Sequence, residues 1–355
     1  MRYTTRGYRI TMEAIFIHKE KDLRISTVET PQVASNQLKV KIERGGICGS
    51  DLHYYNKGGF GTNRLKEPMI LGHEVSGTVI ELGTDVSNFS CGDLVSVSPS
   101  RSCNSCQFCL QGLANHCLEM QFYGSAMPFP HIQGAFREQL VVLENQCVLA
   151  NGLSASQAAM VEPLAVVLHA LKHAGPMHGK NILITGAGPI GLLSILAAKS
   201  AGALSIVVTD ISNQALQLAR DLGASETINV ADNISALNKF SNNKGFFDIM
   251  FECSGSEQAL LGAIHSIKPW GVIVQLGMSG DMRVPMQFIT TKEITLKGSF
   301  RFHEEFELGV SLMLNGNIDV LPLLSHSLPF QDAVQAFNLA NDRTKSMKVQ
   351  LVFNE

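Results

Sequence analysis

Four cysteines, Cys103, Cys106, Cys109 and Cys117, fall within fifteen residues at the spacing C-x2-C-x2-C-x7-C. Thiols this crowded form a disulfide framework, a nucleic-acid-binding finger, or a small lobe folded around a metal. A second set is more scattered. Cys48 stands in RGGICGSDLHY and His73 in EPMILGHEVSG. Thiolate and imidazole are ligands zinc prefers, and Glu74 or Glu162 is placed to supply an oxygen. Three protein ligands with one open position make a catalytic metal site, whereas four thiolates leave no position open. A lone cysteine and a lone histidine are usually core residues; the company of Ser50, His53 and two acids argues otherwise here.

A third group of residues could hold an anion. Gly186, Gly188 and Gly191 form G-x-G-x-x-G in TGAGPIG, after the apolar run Asn181–Thr185 and at the start of a helical pattern. In that setting Gly186 makes the tight turn and Gly188 lets a pyrophosphate approach the backbone. Gly191 allows close helix–strand packing, and Pro189 and Ile190 open a helix whose free N–H groups face the anion. Asp210 ends the next strand, where a carboxylate accepts from a ribose 2′-hydroxyl; its alternative use is to cap the following helix. No arginine or lysine follows until Arg220, so NAD is favoured over NADP.

The bulk numbers narrow the classes. The chain has 355 residues, enough for two hydrophobic cores, with 45% hydrophobic and 17% charged residues. A net charge of −3 gives no reason to expect nucleic acid or an anionic membrane as partner. The apolar runs are too short to span a bilayer, and the start lacks a signal-peptide pattern. Residues 1–11 read as an N-terminal extension. A cytoplasmic location is therefore expected, where clustered cysteines hold metal more often than they pair. Cys91, Cys147 and Cys253 read as small buried residues.

The elements that must position these groups fall into two patterns. The first 150 or so residues are β-rich, with strands at Leu38–Glu43, Glu74–Leu82, Leu94–Val97 and Gln139–Val142. From Ser154, a candidate N-cap, a helix is expected over Ala155–Ala174. Strands and helices then alternate up to about residue 297, which means an α/β fold with a parallel sheet covered on both faces. Helices at Glu305–Leu314 and Asp332–Ala340 and a strand at Met347–Phe353 follow. The dinucleotide-binding part thus sits inside the other.

Together GGICGSDLHYY, PMILGHEVSG, the four-cysteine run, EPLAV and GAGPIG, in this order from Met12 to the C-terminus, resemble the zinc-dependent medium-chain dehydrogenases. Glu162 in EPLAV points to their polyol dehydrogenase branch. FYGSAM, FPH, GSFRF and KVQLVF resemble those members that act on sugar acids. The resemblance implies a β-rich GroES-like catalytic domain (12–155 and 300–355) around a Rossmann domain (156–299). It implies a catalytic zinc on Cys48, His73 and an acid, Glu74 or Glu162, and a structural zinc on the four clustered cysteines. Ser50 and His53 would carry the substrate proton out. Gly277, Met278, Ser299 and Phe300 would complete the cofactor site, and Tyr54 and Arg301 would touch substrate. The implied reaction is hydride transfer between NAD(H) and a secondary alcohol, interconverting L-idonate and 5-keto-D-gluconate, with a neutral sorbitol- or L-iditol-type polyol as the alternative. A zinc-free quinone reductase would lack Cys48, His73 and Glu74, and a non-catalytic nucleotide sensor would not need Ser50 and His53. A homotetramer or homodimer is expected.

Overall fold

Gly46 explains how distant parts of the chain meet. It ends the strand Gln37–Gly46, the spine of a seven-stranded sheet. On one side Gly46 pairs with Glu74 of the antiparallel strand Glu74–Leu82, and on the other with Gln350 of Lys348–Val352. A Cβ on Gly46 would lie 2.1 Å from Glu74 Oε2, so only glycine admits that carboxylate. The strand order is Cys147–Leu149, Leu94–Val97, Glu74–Leu82, Gln37–Gly46, Lys348–Val352, Leu324–Pro329, with Gln139–Leu143 also pairing Gln37–Gly46. The computed structural model describes residues 11–354 except Ser279. The expectation for residues 1–10 lies outside the described residues; Thr11 already stands in a strand, opposite Glu29.

The second sheet is parallel. Its order is Glu226–Asn229, Ser205–Asp210, Asn181–Thr185, Phe247–Glu252, Ile267–Gln275, Thr295–Gly298. Ile182, Leu183 and Ile184 are fully buried, as strands covered on both faces must be. Chain order reverses beside Asn181–Thr185, and such a switch point leaves a crevice at the strand C-termini. The glycine turn begins there.

Four expectations need correction. The helix Ala155–Ala174 is two helices, Ala155–Ala158, capped by Ser154, and Val161–Ala174. Pro163 is the reason: without an N–H it belongs in a helix's first turn, so a new helix starts at Val161. Residues 302–323, expected with the β-rich part, pack on the core of the parallel sheet through Phe302, Phe306, Val310, Met313, Ile318, Val320 and Leu323. In the alternating part, the apolar spacing predicts a helix over Gln258–Ile267; it runs Glu257–Ala263 instead, and Ile267 opens the next strand. Cys91 is exposed in a turn and Cys253 half-buried; only Cys147 of that trio is buried. Among the described residues no helix is long and apolar enough to cross a membrane.

Candidate active site

Cys48, half-buried, precedes the helix Gly49–Lys57, and His73 and Glu74, both buried, open a strand of the first sheet. Their ligand atoms all lie within 4.8 Å of one another. Burial pushes the Cys48 thiol up to about 12, and the Glu74 carboxylate adds to the effect. A thiol so placed ionises only beside a cation. His73 Nδ1 is buried without a hydrogen-bond partner. A soft thiol, an imidazole and a carboxylate converging in a dry site fit a divalent zinc ion. Glu162, in the first turn of Val161–Ala174, stands outside this trio but is buried and senses its charges. Burial pushes its carboxyl up to about 8, and Glu74 raises it further against the opposing pull of His73.

Two partners of this site escape sequence reading. Asp51 is fully buried and accepts from the Cys48 amide at 3.0 Å and the Gly72 amide at 3.1 Å. Its Oδ1 lies 3.7 Å from His73 Nδ1, so it steers the imidazole. Lys348, itself buried, ion-pairs with Glu74 and donates to the Ile47 carbonyl at 3.2 Å. The only sequence signal for Asp51 is its capping position three residues after Cys48; nothing local marks Lys348.

The remaining expected residues stand along the helix after Cys48 or near Glu162. Ser50 Oγ is 3.5 Å from His73 Nε2. His53 lies one turn further along the same helix, half-buried, with burial and Lys57 lowering its pKa. The Tyr54 hydroxyl accepts from the Ala126 amide at 3.0 Å, so this side chain serves packing as well as any substrate contact. Arg301 adopts a left-handed backbone, φ 57°, which turns its guanidinium over the rings of Phe122 at 4.3 Å and Phe300 at 4.8 Å. Burial lowers its pKa to about 10, and the charges nearest it are Glu162 and the Tyr54 phenol.

The four clustered cysteines also converge within 4.8 Å and form no disulfide. Cys106 Sγ and Cys109 Sγ are 3.6 Å apart, near the ~3.8 Å that tetrahedral bonds of about 2.3 Å to zinc require. The Cys106 amide donates to Cys103 Sγ at 3.3 Å, and the Cys103 amide to Cys117 Sγ at 3.2 Å. Such bonds favour thiolates: hydrogen bonds from Ser105 lead in lowering the Cys103 thiol to about 6. The lobe fits a zinc ion with no open position.

In the dinucleotide crevice each glycine has its own reason. Gly186 has φ 89°, and a Cβ there would meet Ser254 backbone atoms at 2.9 Å. A Cβ on Gly191 would sit 1.8 Å from the Gly186 carbonyl oxygen. A Cβ on Gly188, the N-cap, would meet only Arg343 Nη1, at 3.9 Å, so this face of the turn is open. Pro189 and Ile190 start the helix. Asp210 accepts from the amides of Ala187 (2.6 Å), Ile211 (2.7 Å) and Ser212 (2.8 Å), tying the glycine turn to the second strand. Gly277 and Met278 line a cavity of about 400 Å³ with Gln275 and Gly298. The Ser299 amide donates to Gln275, and the Phe300 carbonyl accepts from Asn115. Another cavity, about 300 Å³, between Ser98, Asn115, Phe302 and Glu307, holds none of the expected site residues. Arg343, which no local motif connects with the glycine turn, reaches it from the C-terminal part of the chain.

Comparison with known proteins agrees with this geometry. Residues 34–152 match the alcohol dehydrogenase GroES-like domain, and residues 189–315 the zinc-binding dehydrogenase domain. The chain is 43% identical to L-idonate 5-dehydrogenase (NAD(P)(+)) of Escherichia coli K12, over 92% of this chain and 95% of that protein. The crystal structure of L-idonate 5-dehydrogenase from E. coli K-12 superposes with a TM-score of 0.92 at 40% identity, covering 97% of this chain and 98% of that one. Sorbitol dehydrogenase of Bacillus subtilis is 32% identical over 95% of this chain and 96% of that protein. With its paired Cys/His/Glu and four-cysteine sites and a parallel sheet opening on a glycine turn, the chain belongs to the zinc-binding alcohol dehydrogenase family, with a GroES-like domain and a Rossmann-type domain.

Proposed function

We propose that this protein is a zinc-dependent, NAD(P)-linked oxidoreductase acting on a secondary alcohol of a sugar acid, and that it interconverts L-idonate and 5-keto-D-gluconate. The observation carrying the sugar-acid reading is Arg301. Its guanidinium is partly desolvated near Glu162 and the Tyr54 phenol, and among the described residues no carboxylate is hydrogen-bonded to it. A desolvated guanidinium favours an anion, and its fork matches a carboxylate. The likeness to the two L-idonate 5-dehydrogenases, 43% and 35% identical, against 32% for the bacterial sorbitol dehydrogenase, points the same way.

Cys48, His73 and one of Glu74 and Glu162 would hold the catalytic zinc, which when bound supplies Lewis-acid stabilisation of charge on the substrate oxygen. Ser50 Oγ, beside His73 Nε2, would accept the hydroxyl proton while giving its own towards His53, one turn along the same helix, which releases a proton to solvent. Asp51 keeps the imidazole turned into the site, and Lys348 tethers Glu74 through an ion pair. On the cofactor side, the N-terminus of Pro189–Ser200 and the Arg343 guanidinium face the pyrophosphate, while Asp210 faces the adenosine ribose. The protein would act in the cytoplasm. It would assemble as a dimer or tetramer through the open edge of the parallel sheet, where Thr295–Gly298 is exposed at all four residues.

The deciding assay reduces 5-keto-D-gluconate, fructose and sorbose with NADH and with NADPH, before and after chelation. The proposal expects 5-keto-D-gluconate to give the highest kcat/KM and chelation to abolish turnover. Fructose or sorbose outperforming it would move the substrate to the neutral polyols.

A further inference from the structure

The helix Val161–Ala174 carries Glu162 at one end and, about two turns further on, a histidine pair one turn apart, His169 and His173. Their Nε2 atoms are 3.1 Å apart, and the rings meet edge to face. His169 is buried, and its Nδ1 lies 3.1 Å from Oε1 of Glu305, a buried residue at the start of Glu305–Leu314. The two atoms are at ion-pair distance without the alignment of a hydrogen bond, and a carboxylate on this side favours the proton on Nδ1 and a lone pair on Nε2. Opposite it stands Nε2 of His173, a half-buried residue within reach of water.

We infer that His169 and His173 form a metal site separate from the Cys48 and Cys103 clusters, taking one divalent transition cation through both Nε2 atoms, with water completing its coordination. Nitrogens 3.1 Å apart and each about 2.0–2.1 Å from a cation subtend about 100° at it, between the octahedral and tetrahedral angles. Glu305 supplies the carboxylate that commonly backs a metal-bound histidine. The surroundings carry little net charge. Lys172 pairs with Glu304 and Glu305, and Lys297 donates to the His173 carbonyl at 2.8 Å. Burial, with His169 and Lys297, holds the His173 ring below the usual histidine range, so it is neutral and able to ligate at pH 7. Two imidazoles without a thiolate suit nickel, copper or zinc, in the affinity order of those ions.

The test titrates the zinc-loaded enzyme with Ni²⁺ by calorimetry, measuring released zinc in parallel. The expected result is one equivalent of nickel bound without zinc release. His173→Gln, at a half-exposed helix position, should lose that equivalent while keeping NAD-linked turnover. Glu305→Gln should weaken it roughly 10- to 100-fold, as removal of a backing carboxylate does, and His178→Gln should leave it unchanged. If His173→Gln does not fold, Glu305→Gln decides. Nickel uptake matched by zinc release, or uptake unchanged in His173→Gln or Glu305→Gln, overturns the site.

Discussion

Replacing Arg301 with alanine separates the sugar-acid reading from a generic polyol one. The side chain does two things. It lies over Phe122 and Phe300, which shapes the pocket for any substrate, and it presents a desolvated guanidinium, which matters only for an anionic one. Loss of the ring contacts, and the cost of alanine at φ 57°, apply equally to charged and neutral substrates, so they cancel in a ratio. What remains is the charge-assisted hydrogen bonding to the substrate carboxylate, about 1.5–3 kcal/mol for bonds to a charged group. The half-buried position argues against any larger figure. At about 1.4 kcal/mol per factor of ten, the preference for 5-keto-D-gluconate over fructose should fall roughly 10- to 150-fold. The assay is initial-rate NADH oxidation with both ketones, comparing kcat/KM in the wild type, Arg301→Ala and Arg301→Lys. The loss should appear mainly in KM, and lysine, which keeps the charge without the fork, should recover part of it. Equal losses on the two ketones would show that Arg301 only packs, and the carboxylate assignment would fall.

Other perturbations read other parts of the structure. Gly188→Ala, with open space around its Cβ, should fold normally but bind NADH at least tenfold more weakly in a fluorescence titration; Gly191→Ala, with a carbonyl oxygen 1.8 Å away, should lower the melting temperature or fail to fold. Lys348→Met leaves Glu74 as an unpaired buried carboxylate, so metal-free protein should lose about 3–5 kcal/mol in denaturant unfolding, and zinc should restore part of it. Cys106→Ser should reduce bound zinc from about two per chain to about one by elemental analysis, and should make the bond after Arg101 sensitive to trypsin while the dinucleotide crevice still binds NADH. Hydrogen bonds from Thr344 and Lys345 hold the Asp342 carboxyl down at about 2. Its folded pKa is below the unfolded value, so its contribution is present above about pH 4 and lost as pH falls towards 2. Asp342→Asn should therefore flatten the melting curve against pH in that window only.

The chemistry was legible in the sequence wherever the fold needs it in a short stretch. A tight turn, a close approach and a helix start must come in one run of seven residues, so TGAGPIG announces itself; four thiolates closing one loop around a metal do the same. Legibility failed where the partner comes from elsewhere. Lys348 meets Glu74 because Gly46 pairs with Glu74 on one side and Gln350 on the other, a register no local pattern encodes. Arg343 reaches the glycine turn by the same return of the chain. The break between Ala158 and Val161 was readable after all, since Pro163 in EPLAV forbids the continuous helix that the apolar spacing suggests. That break also has a consequence for the site. It starts a new helix one residue before Glu162, placing this carboxylate in a first turn, where the free N–H groups stabilise negative charge against the burial that opposes it. Burial still raises the Glu162 carboxyl to about 8, while Glu74 is ion-paired with the buried Lys348. The two acids are held differently, one by a buried ammonium and the other at a helix end, and that asymmetry follows from a proline and a returning strand rather than from either glutamate's own neighbourhood in sequence.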